Sequence, residues 1–299
     1  MIVPTPLRKG GTVIKEIMNQ QVQSLTIRNQ CFAWGQQTYL MGVLNITPDS
    51  FSDGGDYNNL DAALDRAQAL VNGGATLLDI GGQSTRPGAT PISPEAELER
   101  VIPIIKTIRK SLNVPISVDT TRAMIAQQAI RAGADLVNDI SGGTFDPEML
   151  STVAELEVPM ILMHIRGTPE TMQQLTDYDD LVGEIRQVLS ERIVAAEKAG
   201  IARSRLIIDP GIGFGKTYEQ NLELLQQLHQ FQSLGVPLLV GTSRKSFIGK
   251  IINQDDPKQR VWGTAATCCA AIAQGADILR VHDLPEMWEV SRVADAIWR

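Results

Sequence analysis

The stretch Gly133-Ala-Asp-Leu-Val-Asn-Asp139 decides the fold. Its glycine supplies the left-handed residue that closes a helix, Leu136-Val137 is an apolar run of strand length, and Asn138-Asp139 ends that run on polar groups. The same entry recurs as Gly74-Ala75 before Leu77–Ile80 and as Gly275-Ala276 before Ile278–Val281. A second entry alternates with it: Val114-Pro115, Val158-Pro159 and Val236-Pro237, where proline stops helix continuation and starts an extended segment. Ala199-Gly200, ahead of Leu206–Ile208, takes the remaining place. From Gly74 to Gly275 the spacing is about 33 residues per step over six steps, the size of one βα unit.

Adding Leu40–Leu44 gives eight expected strands, at 40–45, 77–80, 116–118, 136–138, 160–163, 206–208, 238–240 and 278–281. Amphipathic stretches lie between them, clearest at 59–72, 94–110, 180–199, 218–230 and 285–298. Ser93-Pro94 is an N-cap followed by proline at the first helical position, and Asn59 or Asp61 is expected to open the helix that Asn72-Gly73-Gly74 closes. Parallel βα units close into a barrel or spread into a doubly wound sheet. Polar residues end the strands along the whole chain: Asn45, Asp119, Asn138, Asp209, and Arg280 with His282. A doubly wound sheet would gather them at one switch point, whereas a (β/α)8 barrel builds its active site from all strand C-termini. The expected fold is α/β, a (β/α)8 TIM barrel over residues 38–299. Residues 1–37 have no place in the eight-fold count and form an extension, expected to contain a hairpin around Leu25–Trp34 that plugs the barrel bottom.

The formal net charge of -7 opposes a general nucleic-acid footprint, which needs a basic face, while leaving room for a local cluster that binds an anionic substrate. No apolar run approaches the roughly 18 residues of a membrane span. Cys31 and the adjacent Cys268-Cys269 make no metal spacing and no disulfide framework, in keeping with a reducing cytoplasm. The first 37 residues lack a signal-peptide apolar core and are both acid-poor, with Glu16 alone, and Ser-poor, which argues against a transit peptide.

Two loops after early strands are long, Gly-rich and polar: Asn45-Ile-Thr-Pro-Asp-Ser-Phe-Ser-Asp-Gly-Gly55 and Gly81-Gly-Gln-Ser-Thr-Arg-Pro-Gly88. A third motif, Asp209-Pro-Gly-Ile-Gly-Phe-Gly-Lys216, looks like a P-loop, but Pro210 stands where the first glycine is required, and Lys216 stands at the third glycine of a dinucleotide fingerprint. Its glycines are read instead as letting the backbone approach a flat ligand. Arg280-x-His282 puts two side chains on one face of the last strand, a pairing that favours an anion site. His164 and His229 have no partner at ligand spacing and are read as structural.

With Ser243-Arg-Lys-Ser246 added, these motifs make the chain from residue 40 to 299 resemble the dihydropteroate synthases, five motifs in the same order. The one departure noticed is Gln83, where that family usually has Glu. The resemblance implies transfer of a dihydropterin-6-ylmethyl group from its diphosphate to 4-aminobenzoate, giving 7,8-dihydropteroate and pyrophosphate. It implies that Asp119, Asn138 and Asp209 bind the pterin ring, with Lys245 donating to a ring nitrogen or carbonyl. Arg280, Val281 and His282, assisted by Thr85, would hold the diphosphate, and Asn45 would bind Mg2+, most of whose other ligands are substrate phosphate oxygens. Thr85, Arg86, Pro87, Phe214, Lys245 and Ser246 would form the aminobenzoate pocket, Phe214 and Pro87 as a flat apolar slot and Ser246 with the helix opening near Ser243 as its carboxylate site. Catalysis is expected from Asp119, Asp209, Lys245, Arg280 and His282. Homodimerisation through the late helices is implied, with no nucleic-acid or membrane partner. A pterin-dependent methyltransferase domain shares the barrel and the Asp/Asn set but has no reason to carry Arg280-x-His282, the Ser-Arg-Lys-Ser motif or the Thr85-Arg86-Pro87 loop. A non-catalytic pterin-binding paralogue would be expected to lose loop or phosphate residues, and none is lost.

Overall fold

The computed structural model describes residues 22–46, 56–86 and 88–299. Most of the first Gly-rich loop, Pro87 and the beginning of the N-terminal extension lie outside the described residues. Two short strands, β1 (Leu25–Ile27) and β2 (Gln30–Phe32), form an antiparallel hairpin. Eight parallel strands follow: β3 (Tyr39–Asn45), β4 (Leu77–Gly81), β5 (Ile116–Asp119), β6 (Leu136–Asp139), β7 (Met160–Met163), β8 (Leu206–Asp209), β9 (Leu239–Val240) and β10 (Ile278–Val281). They pair in the order β8-β7-β6-β5-β4-β3-β10-β9, and a bridge between Ile208 and Leu238 joins the two ends. The chain is a (β/α)8 barrel, with helices in the connections between its strands.

Alternation along the strands divides the apolar residues into two separate clusters. Outward residues such as Leu40, Leu78, Ile80, Val118, Val137, Leu162, Ile208, Leu279 and Val281 pack against the helices. Inward residues at the strand starts, Tyr39, Met41, Leu77, Leu136, Ile161, Ile207, Leu239 and Ile278, form one cluster with Leu25, Ile27 and Phe32 of the hairpin. The hairpin therefore seals the N-terminal end of the barrel, and Arg28 at its turn pairs with Asp135 at 2.7 Å. Above this plug the inward positions turn polar: Asp79, Ser117, Asp119, Asn138 and Asp209, all buried.

The helix boundaries follow local chemistry, with two differences. Ser93 Oγ accepts from the Ala96 amide at 3.2 Å, capping helix Pro94–Ser111 as expected, and Gly74, Gly133 and Gly275 all take positive φ at the helix-to-strand junctions. The first barrel helix begins at Asp56, ahead of the expected Asn59 or Asp61. The stretch expected as one helix over 218–230 is an α-helix only over Tyr218–Gln226, opened by a capping box between Thr217 and Gln220, and then tightens into 3-10 geometry over Leu228–Leu234.

Candidate active site

A cleft opens at the C-terminal mouth of the barrel. Thr85, Asp119, Asn138, Asp209, Phe214, Lys245, Arg280 and His282 line it, with Ile140, Met163, Gly241 and Ser243 between them. Residues from β5, β6, β7, β8 and β10 and from the loops after β4, β6, β8, β9 and β10 thus meet at one end of the barrel. The side chain of Val281 faces outward into the helix-packed core, leaving only its backbone toward the site. Arg86 and Ser246 are exposed and do not line the cleft. The helix after the Ser-Arg-Lys-Ser motif opens at Ser246, with Lys245 at its N-cap, rather than near Ser243. Asn45 sits half-buried at the end of β3, whose other edge pairs with β10, the strand that carries Arg280.

Arg280 is the hub. Its Nε donates to Oδ2 of Asp79 at 2.6 Å and its Nη2 to Oδ2 of Asp119 at 2.9 Å. Asp79 Oδ2 also accepts from Nδ2 of Asn138 at 3.2 Å. Burial, and after it the charge of Asp79, push the Asp119 carboxyl up to about 7 against the pull of Arg280. Burial also raises Asp209, opposed by the Gly211 amide, which donates to its Oδ1 at 2.7 Å, and by Lys245. Two carboxyls whose charged forms are both disfavoured gain from a ligand that donates to them or spreads positive charge beside them.

Burial brings the Lys245 ammonium down to about 8, opposed by Asp209. Its Nζ donates to the Ile212 carbonyl and lies 4.4 Å from the centroid of the Phe214 ring. The turn that aims it is strained: Arg244 has φ +61, a conformation that side chains with a Cβ rarely adopt. An ion pair to Asp283, a bond from the Arg244 amide to Thr264 Oγ1 at 3.1 Å and one from Arg260 to the Arg244 carbonyl at 2.9 Å hold it there. Ser243 Oγ lies 2.9 Å from Nδ1 of His282, and burial, followed by the charge of Arg280, keeps that imidazole neutral with its pKa down to about 3.

The Gly-rich loop after β8 differs from its sequence reading. A Cβ on Gly211, whose φ is +70, would stand 1.9 Å from the His164 carbonyl oxygen, so the glycine is required by close approach of the chain to itself rather than to a ligand. Buried Lys216 ties the same loop down, donating to the carbonyls of Gly211 at 3.0 Å and Phe214 at 2.8 Å and meeting Nδ1 of His164 at 3.1 Å. His164 is neutral, brought down to about 2 by burial and then by Lys216, so its Nδ1 is free to accept. Its structural role stands, now with a named partner.

Asp79 went unremarked in the sequence, although a carboxylate inside Leu77-Leu-Asp-Ile80, an otherwise apolar buried strand, is itself a signal. Among the described residues no cluster of three or more His, Cys, Asp or Glu side chains forms a metal cage. The donor set suits a metal that arrives with phosphates: one neutral amide oxygen, from Asn45, on the strand beside Arg280.

Comparisons with known proteins agree with this geometry. The profile of the family described as pterin binding enzyme matches residues 41–282. A dihydropteroate synthase of Synechocystis sp. is 60% identical over 275 residues, covering 92% of this chain and 95% of the relative. Among solved structures, Xanthomonas albilineans dihydropteroate synthase with 4-aminobenzoic acid superposes with a TM-score of 0.85 at 43% identity, covering 92% of this chain and 97% of the other. The same enzyme in complex with 7,8-dihydropteroate gives 0.82 at 39%, covering 92% and 98%. With the family profile spanning most of the barrel and a relative of this identity matched over nearly its whole length, the chain belongs to the pterin-binding enzyme family and, within it, to the dihydropteroate synthases.

Proposed function

We propose that this barrel joins a dihydropterin-6-ylmethyl diphosphate to 4-aminobenzoate, forming 7,8-dihydropteroate and releasing pyrophosphate. The observation that carries the reading is the convergence of Asp119, Asn138, Asp209 and Lys245 with Arg280 and His282 on one cleft. Hydrogen-bond acceptors suited to the amino-pyrimidinone edge of a pterin stand beside cationic and neutral donors suited to a diphosphate.

The pterin ring lies against Asp119, Asn138 and Asp209, with Lys245 donating to a ring nitrogen or carbonyl. Arg280, His282 and Thr85, with the Val281 backbone, take the diphosphate. Phe214, 4.4 Å from the Lys245 ammonium, forms one wall for the aminobenzoate beside Thr85; Arg86, Pro87 and Ser246 are given to that pocket by the family resemblance alone, Arg86 and Ser246 standing exposed outside the cleft. Mg2+ held by Asn45 and substrate phosphate oxygens would neutralise charge on the departing pyrophosphate. In the reaction the C–O bond at the pterin methylene breaks, its electron pair leaving with pyrophosphate. The aniline nitrogen then forms the C–N bond and loses a proton. Ser243 lies beside His282 in the cleft, but that imidazole, its pKa down to about 3, is a poor base and leaves the hydroxyl unactivated, so rate comes from orientation and from electrostatics, the carboxylates of Asp119 and Asp209 stabilising positive charge in the pterin.

The working form is a cytoplasmic homodimer, residues 38–299 forming the catalytic barrel and 1–37 its extension. An apolar surface on the late helices supports the dimer: Trp262 is 74% exposed, Val293 and Ile297 are each 64% exposed, and Ile251 and Ile252 lie on the short helix Ser246–Ile252. Among the described residues no helix is long and apolar enough to cross a membrane.

Pyrophosphate release on mixing the two substrates with Mg2+ tests the reading. Release that requires both substrates is the expected result. A pterin that binds without any release would favour a non-catalytic binder.

A further inference from the structure

We propose that Asp79 is the positioning residue that sets which atoms the site presents to both ends of the pterin diphosphate, an inference that rests on the reading above. Its carboxylate is fully buried midway along β4, and the strand register places Val43 on one side of it and Ser117 on the other. It touches no part of the cleft surface. Everything it does to a ligand it does through two neighbours.

Ionised, Asp79 can only accept hydrogen bonds. Its Oδ2 therefore takes the NH2 group of Asn138, at 3.2 Å, and this orients the amide so that the Asn138 carbonyl oxygen faces the cleft. An acceptor there suits the amino and ring N–H donors of a pterin, while a reversed amide would set donor against donor. The same Oδ2 takes Arg280 Nε at 2.6 Å, which together with the Nη2 contact to Asp119 commits one edge of the guanidinium to the carboxylates and leaves the donors of the Nη1 edge for an incoming phosphate. One oxygen atom thus couples the acceptor face at the pterin end to the donor face at the phosphate end.

A purely structural role fits Asp79 poorly. Among the described residues its Oδ1 has no hydrogen-bond partner, nor does Ser117 Oγ on the neighbouring strand. A buried carboxylate only half satisfied is costly to the fold, and an apolar residue in the middle of an apolar strand would stabilise more.

The test separates the two ends with two probes, inorganic pyrophosphate with Mg2+ and a phosphate-free 6-hydroxymethyl-dihydropterin, titrated calorimetrically into the full-length protein. Asp79→Ala is expected to weaken both by about tenfold or more, because each end loses an oriented, charge-assisted bond. Asp79→Asn, whose carbonyl can stand in for Oδ2, should recover most of the pterin affinity and less of the pyrophosphate affinity. Wild-type affinity for either probe in folded Asp79→Ala overturns the proposal. If that variant does not fold, neutron diffraction from wild-type crystals soaked with the phosphate-free pterin decides: deuterons on the Asn138 atom facing Asp79 and none on the atom facing the pterin support it, and the reverse overturns it. Failure of the wild-type protein to bind either probe would instead count against the function itself.

Discussion

Asp119 and Arg280 meet across the barrel mouth as a 2.9 Å ion pair between β5 and β10, strands held two apart by β4 and β3 and turned toward each other by the curvature of the barrel. It places the residue expected to receive the phosphates against a residue expected to receive the pterin, so the two subsites share charge. Asp119 is raised to about 7 by burial and Asp79, and Arg280 is the chief group opposing that rise. Since the pterin needs an acceptor, affinity for a phosphate-free pterin should strengthen as pH rises through about 7 and Asp119 ionises. Arg280→Gln removes the opposing charge, so its midpoint should move to higher pH. A flat calorimetric profile between these forms, or a midpoint moving down in the variant, would contradict the coupling.

Removing the arginine outright should do more than weaken phosphate binding. Arg280→Ala leaves Asp79, fully buried, without its ion-pair partner, and an uncompensated buried charge costs about 3–5 kcal/mol. Urea denaturation is expected to show a loss of that order, and the double variant Asp79→Asn/Arg280→Ala should regain most of it. In the double variant pyrophosphate-bearing substrate should still bind far more weakly than in the wild type. A single variant as stable as the wild type would contradict the cost assigned to an unpaired Asp79.

Much of this was legible in the sequence because most strands show a Gly-Ala or Val-Pro entry, a polar ending such as Asn138 or Asp209, or both. The eight strands follow from those local signals, and the hairpin plug from the segment they leave over. The distant contacts do not. Ser243 meets His282 and Lys216 meets His164 past the ends of neighbouring strands, and Asp79 meets Arg280 across 201 residues of chain; strand order and barrel curvature bring such pairs together, and no local signal reports either. The Gly-rich motif signals that the backbone at Gly211 approaches something closely, and the neighbour is the His164 carbonyl rather than a flat ligand, a distinction sequence does not carry. The early end of the α-helix at Gln226 has no proline or glycine to announce it.

That correction separates two glycines that look alike in sequence. Gly35 has φ +74 with open space where a Cβ would go, so Gly35→Ala should cost only the backbone strain of about 1–2 kcal/mol. Gly211 has φ +70 and a carbonyl oxygen 1.9 Å from the Cβ position, so Gly211→Ala must also push the loop off His164. It should destabilise markedly more than Gly35→Ala in denaturant titrations and weaken 4-aminobenzoate binding, because the same loop carries Phe214. Equal stability losses would show that the loop yields freely.

The hydroxyl of Ser243 orients a neutral imidazole through its 2.9 Å contact with Nδ1 of His282. Ser243→Ala removes two contacts between uncharged groups, the bond that Oγ accepts from the His282 amide at 3.2 Å and the imidazole contact that orients the ring, the latter worth about 0.5–1.5 kcal/mol. Pyrophosphate affinity should fall by roughly two- to tenfold on that scale, with pterin affinity unchanged. Loss at the pterin end alone would place His282 in a different subsite.

The order of bond making and breaking is the remaining consequence of the site's charges. His282, brought down to about 3, is a poor base, Lys245 near 8 donates to the Ile212 carbonyl, and Asp119 and Asp209 belong to the pterin end. Among the described residues nothing beside Phe214 is therefore poised to take the aniline proton before attack. A pterin able to spread positive charge between two buried carboxylates, with pyrophosphate departing toward Arg280, favours C–O cleavage ahead of C–N formation. The weakly nucleophilic aniline then needs only to be held in place. Single-turnover rates across ring-substituted aminobenzoates at saturation should be nearly independent of amine basicity. A steep rise with basicity, once product release is shown not to limit, would establish direct displacement and remove the cation from the pathway.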